Sequence, residues 1–342
     1  MRILLLECES PSSLSFLKFY KDERDVEMVC GSSSKIPIVS FSKFRKKIYK
    51  YPKTLYPFYF SKKRIRKFNK IISNLVREEK IDIIISQSEK TLIPLLLENS
   101  LKRHLPYPSF KTVDMLHDKI RLFNYLAEVS PQSFKLPRVY KNIREVKYPI
   151  IIKSNKGAGG FLVKKINKKE ELLKTIQILR RERRRVIIQE FIPSKLKLAL
   201  NLFVDKEGKI KRLLSFRKIK ISKLRKLKEE IENFFKEIQY FGFASPQFLI
   251  HKNQLFLIEI NPRLSYYYYG LDFDLDFPEA FHRCIIKNEG IEERFKILPF
   301  PYPFTIANKI YLKETGDLSA IFINCAFTAF FSLTSLFHPK YP

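Results

Sequence analysis

Glu259, Asn261 and Arg263 occupy alternate positions of one short segment, Glu259-Ile260-Asn261-Pro262-Arg263, which sets two hard oxygen donors beside a planar cation. The apolar residues before it and the alternation within it predict a β-strand, where every second side chain shares a face. Glu259 and Asn261 then point one way, while Ile258 and Ile260 point into the core. A carboxylate next to an amide oxygen suits Mg²⁺, which takes few protein oxygens and fills its remaining positions with water and phosphate oxygens. Pro262 ends the strand ladder for want of an N–H, and Arg263 emerges beyond it with a fork that fits phosphoryl oxygens. The segment reads as a site for a nucleoside triphosphate. On these five residues alone, an ordinary strand end carrying a surface salt bridge fits as well.

Such a strand needs a partner to hold its register. Residues 248–250 read as the strand before it, and a three-residue loop at 252–254 would set Gln247 opposite Glu259, so that both face one ion. Residues 198–204 and 210–216 read as two further strands joined by a glycine-containing turn, with a long helix over 222–241 between the two pairs. Strand runs broken by single helices predict an antiparallel sheet with helices packed on it, an α+β layer. Residues 149–153 predict a strand ending at Lys153. It leads into Ser154-Asn155-Lys156-Gly157-Ala158-Gly159-Gly160, which holds three of the nine glycines of the chain. Glycines let backbone amides approach a phosphate and let a loop move; a plain glycine hairpin is the other reading. Residues 168–184 predict a charged helix. Residues 186–191 predict a strand running into Gln189-Glu190-Phe191-Ile192-Pro193.

Towards the N-terminus, strands at 3–6, 26–30 and 81–86 alternate with helices over 12–20, 62–80 and 91–101. That alternation predicts a small parallel sheet, an α/β unit. No GxGxxG follows the first strand, so the dinucleotide-binding turn is missing. Pro106-Tyr107-Pro108 marks a boundary, after which residues 113–129 read as one amphipathic helix carrying Asp118-Lys119.

A chain of 342 residues, 45% hydrophobic and 29% charged, has room for two or three domains with a substantial core. Its net charge of +30 would suit a polyanion. The basic residues are nevertheless spread along the chain and mixed with apolar ones at helical spacing, as on solvated helix faces. No helix-turn-helix, zinc or RNA-recognition pattern accompanies them, so a nucleic-acid partner is not expected. Cys8, Cys30, Cys284 and Cys325 lack metal or disulfide spacing, which fits a cytoplasmic protein. The first apolar run is too short for a signal peptide. Residues 320–337 carry no charge, but their interior polar residues favour a buried helix end and core strand over a membrane span.

In their order, Asp118-Lys119, Ile151-Ile152-Lys153 before Gly157-Ala158-Gly159-Gly160, Gln189-Glu190-Phe191-Ile192-Pro193, and Gln247 with Glu259-Ile260-Asn261-Pro262-Arg263 resemble the ATP-grasp superfamily. The set looks like the branch of the carbamoyl-phosphate synthase large-subunit synthetase domain and related carboxylate–amine ligases, over residues 1–283. The resemblance implies an N-terminal Rossmann-like parallel-sheet domain (1–110), an ATP-grasp domain (111–300, with a lid subdomain at about 135–192) and a C-terminal segment (301–342) packed on it. It implies that ATP lies between two sheet-containing lobes, with Lys119 and Lys153 toward the phosphates and Gly157, Gly159 and Gly160 in a closing lid. Glu190, Phe191 and Ile192 would form the hinge over adenine. Gln247, Glu259 and Asn261 would hold Mg²⁺, Arg263 would neutralise the transferring group, and Arg217 would stand near the acceptor carboxylate. The implied activity is C–N bond formation between a small-molecule carboxylate and an amine through an acyl phosphate, with a homodimer left open. The alternative is a nucleotide-binding homologue without catalysis. Two departures favour that alternative: Ser194-Lys195-Leu196-Lys197 lacks the carboxylate that binds ribose in many relatives, and four tyrosines at 266–269 replace small residues.

Overall fold

A four-stranded parallel sheet opens the chain. The elements are β1 (Arg2–Leu5), α1 (Ser12–Tyr20), β2 (Glu27–Ser32), β3 (Ile48–Lys50), α2 (Lys62–Glu78), β4 (Ile83–Ile85) and α3 (Glu89–Leu96). The strand order is β3-β2-β1-β4, parallel throughout. Ile3, Leu4 and Leu5 are fully buried, as in a central parallel strand covered on both faces. On α2, Ile65, Phe68, Ile72, Leu75 and Val76 recur at helical spacing and are buried, leaving the basic residues outside. The order reverses at β1. Ligands of open parallel sheets bind outside the carboxyl ends of the strands at such a point, here the segments after Leu5 and Ile85.

This computed structural model describes residues 1–10, 12–42, 47–54, 56, 61–157, 162–181, 185–215, 217, 219–264 and 275–297. Gly159, Gly160, the tyrosines at 266–269 and the segment 301–342 lie outside them. Among the described residues no helix is long and apolar enough to cross a membrane, and no disulfide links Cys8, Cys30 and Cys284.

The single helix expected over 113–129 is two helices, α4 (Phe110–His117) and α5 (Lys119–Val129). Asp118 breaks it. Its backbone is extended, and its carboxylate accepts the Arg121 N–H at 3.1 Å, so it caps α5. Lys119 thereby becomes the first residue of α5 and not a mid-helix residue. A second sheet, antiparallel with order β6-β5-β7, follows from β5 (Ile150–Ser154), β6 (Lys164–Ile166) and β7 (Val186–Glu190), with α6 (Lys169–Arg181) between the last two.

The third sheet has order β11-β10-β8-β9-β12. It comprises β8 (Lys197–Val204), β9 (Ile210–Ser215), β10 (Gly242–His251), β11 (Gln254–Asn261) and β12 (Arg294–Ile297), with α7 (Ile221–Glu237) and α8 (Phe277–Phe281). It is antiparallel apart from β12, which runs parallel to β9. The β8–β9 turn requires Gly208: its φ is +82°, and a Cβ there would come within 2.7 Å of the Lys236 amide nitrogen. Arg212 of β9 is 1% exposed. Its guanidinium donates to the Leu275 and Glu292 carbonyls at 2.5 and 2.7 Å, tying the chain after the site strand back onto the sheet.

One apolar cluster joins the first and third sheets. Ile3 and Leu5 of β1, Phe16 of α1, Phe203 of β8, Phe243 of β10 and Phe281 of α8 share it. Phe243 stacks on Phe281 at 5.3 Å and meets Phe16 edge-on at 6.0 Å. Each such buried ring is worth about 1.5–3 kcal/mol of removed apolar surface, so the N-terminal sheet is fixed against the sheet that carries Glu259.

Candidate active site

The β10–β11 hairpin sets the geometry. Its loop is Lys252-Asn253, both with positive φ (47° and 60°), and His251 pairs with Gln254. This two-residue turn matches the twist of the strands and is one residue shorter than expected. Gln247 still lies opposite Glu259. A bulge restores the register, since Phe248 pairs with Leu257 and Gln247 with Glu259, leaving Ile258 as the extra residue. The bulge also shifts the pleat by one. Leu255, Leu257 and Ile260 are buried, whereas Ile258 is only partly buried, contrary to the simple alternation. The Ile258 carbonyl instead accepts the Lys153 ammonium at 2.8 Å, which joins the second sheet to the third.

Lys119 reaches the same place from α5. Its Nζ lies 3.4 Å from Glu259 Oε2, with Lys119 7% and Glu259 24% exposed. Asn155, just past β5 and 2% exposed, holds the start of that helix: its carbonyl accepts the Lys119 N–H at 3.2 Å and its side-chain oxygen accepts the Ile120 N–H at 2.8 Å. Two orphan amides of a helix N-terminus are thus satisfied by the strand that carries Lys153. Sequence reading passed over Asn155 because it stands within a segment read for its glycines.

Two ammonium groups now share one carboxylate. Burial and the Lys119 charge pull the Lys153 ammonium down to about 7, with Glu259 opposing. Burial pushes the Glu259 carboxyl up, but Lys119, Lys153, the Asn261 hydrogen bond and Arg263 outweigh it and hold the group below its usual range. Glu259 is therefore ionised at neutral pH. Asn261 Nδ2 donates to Glu259 Oε1 at 3.1 Å, which leaves the Asn261 carbonyl oxygen for another partner. Among the described residues no group of three acidic, histidine or cysteine side chains could cage a metal. The donor set of one carboxylate and the amide oxygens of Asn261 and Gln247 fits Mg²⁺ arriving with phosphate oxygens, not an all-protein cage.

The remaining expected residues are placed as follows. Gly157 is buried at the end of the β5 loop. Glu190 and Phe191 donate their amides to the carbonyls of Arg138 and Pro149 at 2.9 and 3.4 Å, and the Ile192 carbonyl accepts from Ser194 at 2.8 Å. Arg217 Nε donates to the Lys197 carbonyl at 2.9 Å, tying it to the start of β8. Arg263 is 7% exposed, and its Nε donates to Glu89 Oε2 at 2.8 Å across 174 residues of sequence. Glu89 was not read from the sequence, where Ser86-Gln87-Ser88-Glu89-Lys90 is only a polar stretch after a strand. A cavity of about 200 Å³ lined by Leu126, Phe134, Phe248, Leu257 and Ile260 lies on the core side of the hairpin, away from Glu259.

Comparison with known proteins bears on this arrangement. Residues 116–265 match the ATP-grasp domain family. No curated protein sequence matches the chain. Among solved structures, the fold is similar to the biotin carboxylase domain dimer of 2-oxoglutarate carboxylase from Hydrogenobacter thermophilus, determined with MgADP, ADP and bicarbonate. Identity is 14%, the TM-score is 0.65, and the match covers 85% of this chain and 71% of that one. It is also similar to a biotin carboxylase complex with β-γ-ATP from Campylobacter jejuni, at 14% identity, TM-score 0.65 and coverage of 85% and 72%. N5-carboxyaminoimidazole ribonucleotide synthetase from Thermotoga maritima follows at 13% identity, TM-score 0.61 and coverage of 85% and 77%. The bulged hairpin, the capped α5 and the lysine strand therefore belong to a chain with the ATP-grasp fold, whose ATP-grasp domain matches over residues 116–265.

Proposed function

We propose that the protein is an ATP- and Mg²⁺-dependent ligase that joins a small carboxylic acid to an amine through an acyl phosphate. The observation that carries this reading is the excess of buried positive charge, with Lys119 paired to Glu259 and Lys153 held beside it on the Ile258 carbonyl. Buried charges are costly unless paired, and a polyphosphate would supply the missing negative charge. The known nucleotides of the similar structures, MgADP in the Hydrogenobacter domain and β-γ-ATP in the Campylobacter enzyme, support the same ligand class here.

In this reading Lys119 and Lys153 hold phosphate oxygens. Gly157, Gly159 and Gly160 offer backbone amides above them, and the segment Glu190, Phe191 and Ile192 meets the base. Gln247, Glu259 and Asn261 hold Mg²⁺, which offsets the charge that builds up on the phosphates. A carboxylate oxygen of the acid attacks the γ-phosphorus, the bond to ADP breaks, and an acyl phosphate forms. The amine nitrogen then attacks the acyl carbon, the C–O bond to phosphate breaks, and the nitrogen loses a proton. Phosphoryl transfer of this kind depends on positioning and on dense positive charge, which Lys119, Lys153 and Arg263 provide, with Arg217 placed for the acceptor carboxylate. The domain division at residues 110 and 300, the lid at about 135–192 and a cytoplasmic location belong to the same proposal.

A second reading, nucleotide binding without turnover, draws on the Ser194-Lys195-Leu196-Lys197 segment. There the Ser194 hydroxyl is engaged by the Ile250 carbonyl, and no carboxylate is present for a ribose. A mass-resolved screen of acid–amine mixtures with MgATP separates the two. A condensation product with matching ADP release, lost by about a hundredfold or more in Glu259→Ala, is the expected result. MgATP binding with no product from any mixture would favour the second reading.

A further inference from the structure

The Glu89–Arg263 pair is more than a strut between two parts of the chain. Glu89 is fully buried, begins α3 and lies at the carboxyl end of β4, beside the point where the parallel strand order reverses. Its loop is itself held. The Glu7 carboxylate, just after β1, accepts the Gln87 N–H and the Thr91 hydroxyl, both at 3.0 Å, and the hydroxyl of Ser88, the cap of α3. Burial pushes the Glu89 carboxyl up, yet the Arg263 charge leads the influences that more than reverse this and hold the group below its usual range. His117, 3% exposed, is held neutral, drawn down to about 4 mainly by burial. Among the described residues, Arg263 is the one cation hydrogen-bonded to Glu89, and it stands two residues past Asn261 on the segment that carries Glu259.

We propose that Glu89 is a positioning residue of the nucleotide site, one that fixes the Arg263 guanidinium four residues beyond Glu259 and so makes phosphoryl transfer depend on the docked N-terminal sheet. This rests on the ligase reading and deepens it. A planar guanidinium held at Nε by Glu89, and by the Leu264 carbonyl at 3.0 Å, keeps its charge at one place relative to Glu259. Glu89 acts through Arg263 and touches no reacting atom.

The test uses the full chain and calorimetric binding of Mg·ADP with and without aluminium fluoride, which stands in for the phosphoryl group in flight. In wild type, aluminium fluoride should tighten Mg·ADP. Glu89→Gln should bind Mg·ADP alone within about threefold of wild type yet lose about tenfold or more of the tightening, the size of one charged hydrogen bond. Arg263→Lys should lose it too, and the double variant should lose no more than either single one, since both act on the same interaction. Additive losses, or equal weakening with and without aluminium fluoride, would mark Glu89 as structural only and overturn the proposal. Full tightening in a folded Glu89→Gln protein would do the same. A wild-type protein that binds Mg·ADP with no added tightening also overturns it, while one that binds no nucleotide at all overturns the ligase reading beneath it.

Discussion

Two ionic groups lie at and just beyond the C-terminal end of β11, and they differ in charge balance. At Glu259 there are two ammonium groups for one carboxylate, and the carboxylate is 24% exposed. Four residues on, Arg263 pairs with Glu89, a carboxylate fully shielded from solvent. A balanced pair can persist in a closed interior because each ion compensates the desolvation of the other. An unbalanced group keeps a window to solvent and a lysine pulled down to about 7, so it gains most from an incoming anion. The contrast teaches that in so basic a protein the number of lysines says little, whereas the local ratio of cations to carboxylates separates a site awaiting a ligand from a fixed contact.

Three substitutions test this contrast. Glu89→Leu removes the carboxylate from a buried guanidinium and should destabilise the fold by about 3–5 kcal/mol, measured by urea unfolding. A loss under about 1 kcal/mol would show that the pair is not balanced as described. Lys153→Met should act in the opposite sense. Because the folded protein binds the Lys153 proton less tightly than the unfolded chain does, wild-type stability should rise between about pH 7 and pH 10.5. The variant should lack that rise and melt higher than wild type at neutral pH, yet bind MgATP about tenfold to a hundredfold more weakly. A parallel rise in both proteins would remove Lys153 as its cause. The smallest effect is expected for Asn155→Ala, which removes the side-chain acceptor of the Ile120 N–H at the start of α5 and should cost about 1 kcal/mol. Its MgATP affinity should fall by several times more than that of a cap variant at Ser61, whose hydroxyl caps α2. Equal falls would separate the start of α5 from the site.

Much of the frame was legible in single stretches. The alternation of 3–6, 62–80 and 81–86 foretold the parallel sheet, because apolar periodicity is a local property of the chain. The short edge strands β3 and β12 went unread, since Ile48–Lys50 and Arg294–Ile297 mix charge with few apolar residues. In the hairpin, a loop read one residue too long and a bulge that sequence does not announce offset each other, so Gln247 opposite Glu259 was foreseen while the partial exposure of Ile258 was not. Asp118 is a preferred helix cap, yet the apolar spacing over 113–129 reads as one continuous helix, and only the folded chain shows the break. Glu89 was not legible either. No local pattern connects it with a residue 174 positions away.

The order of Lys119, Lys153, Gln247, Glu259 and Asn261 along alternating strands and helices was determined by sequence alone, because residue type and periodicity fix which local face each side chain can occupy. Tertiary structure decided which charges neutralise one another. It set Lys153 on the Ile258 carbonyl, Lys119 on Glu259 and Arg263 on Glu89. Charge pairing depends on distance and shielding through space, and neither is encoded in any single stretch of chain.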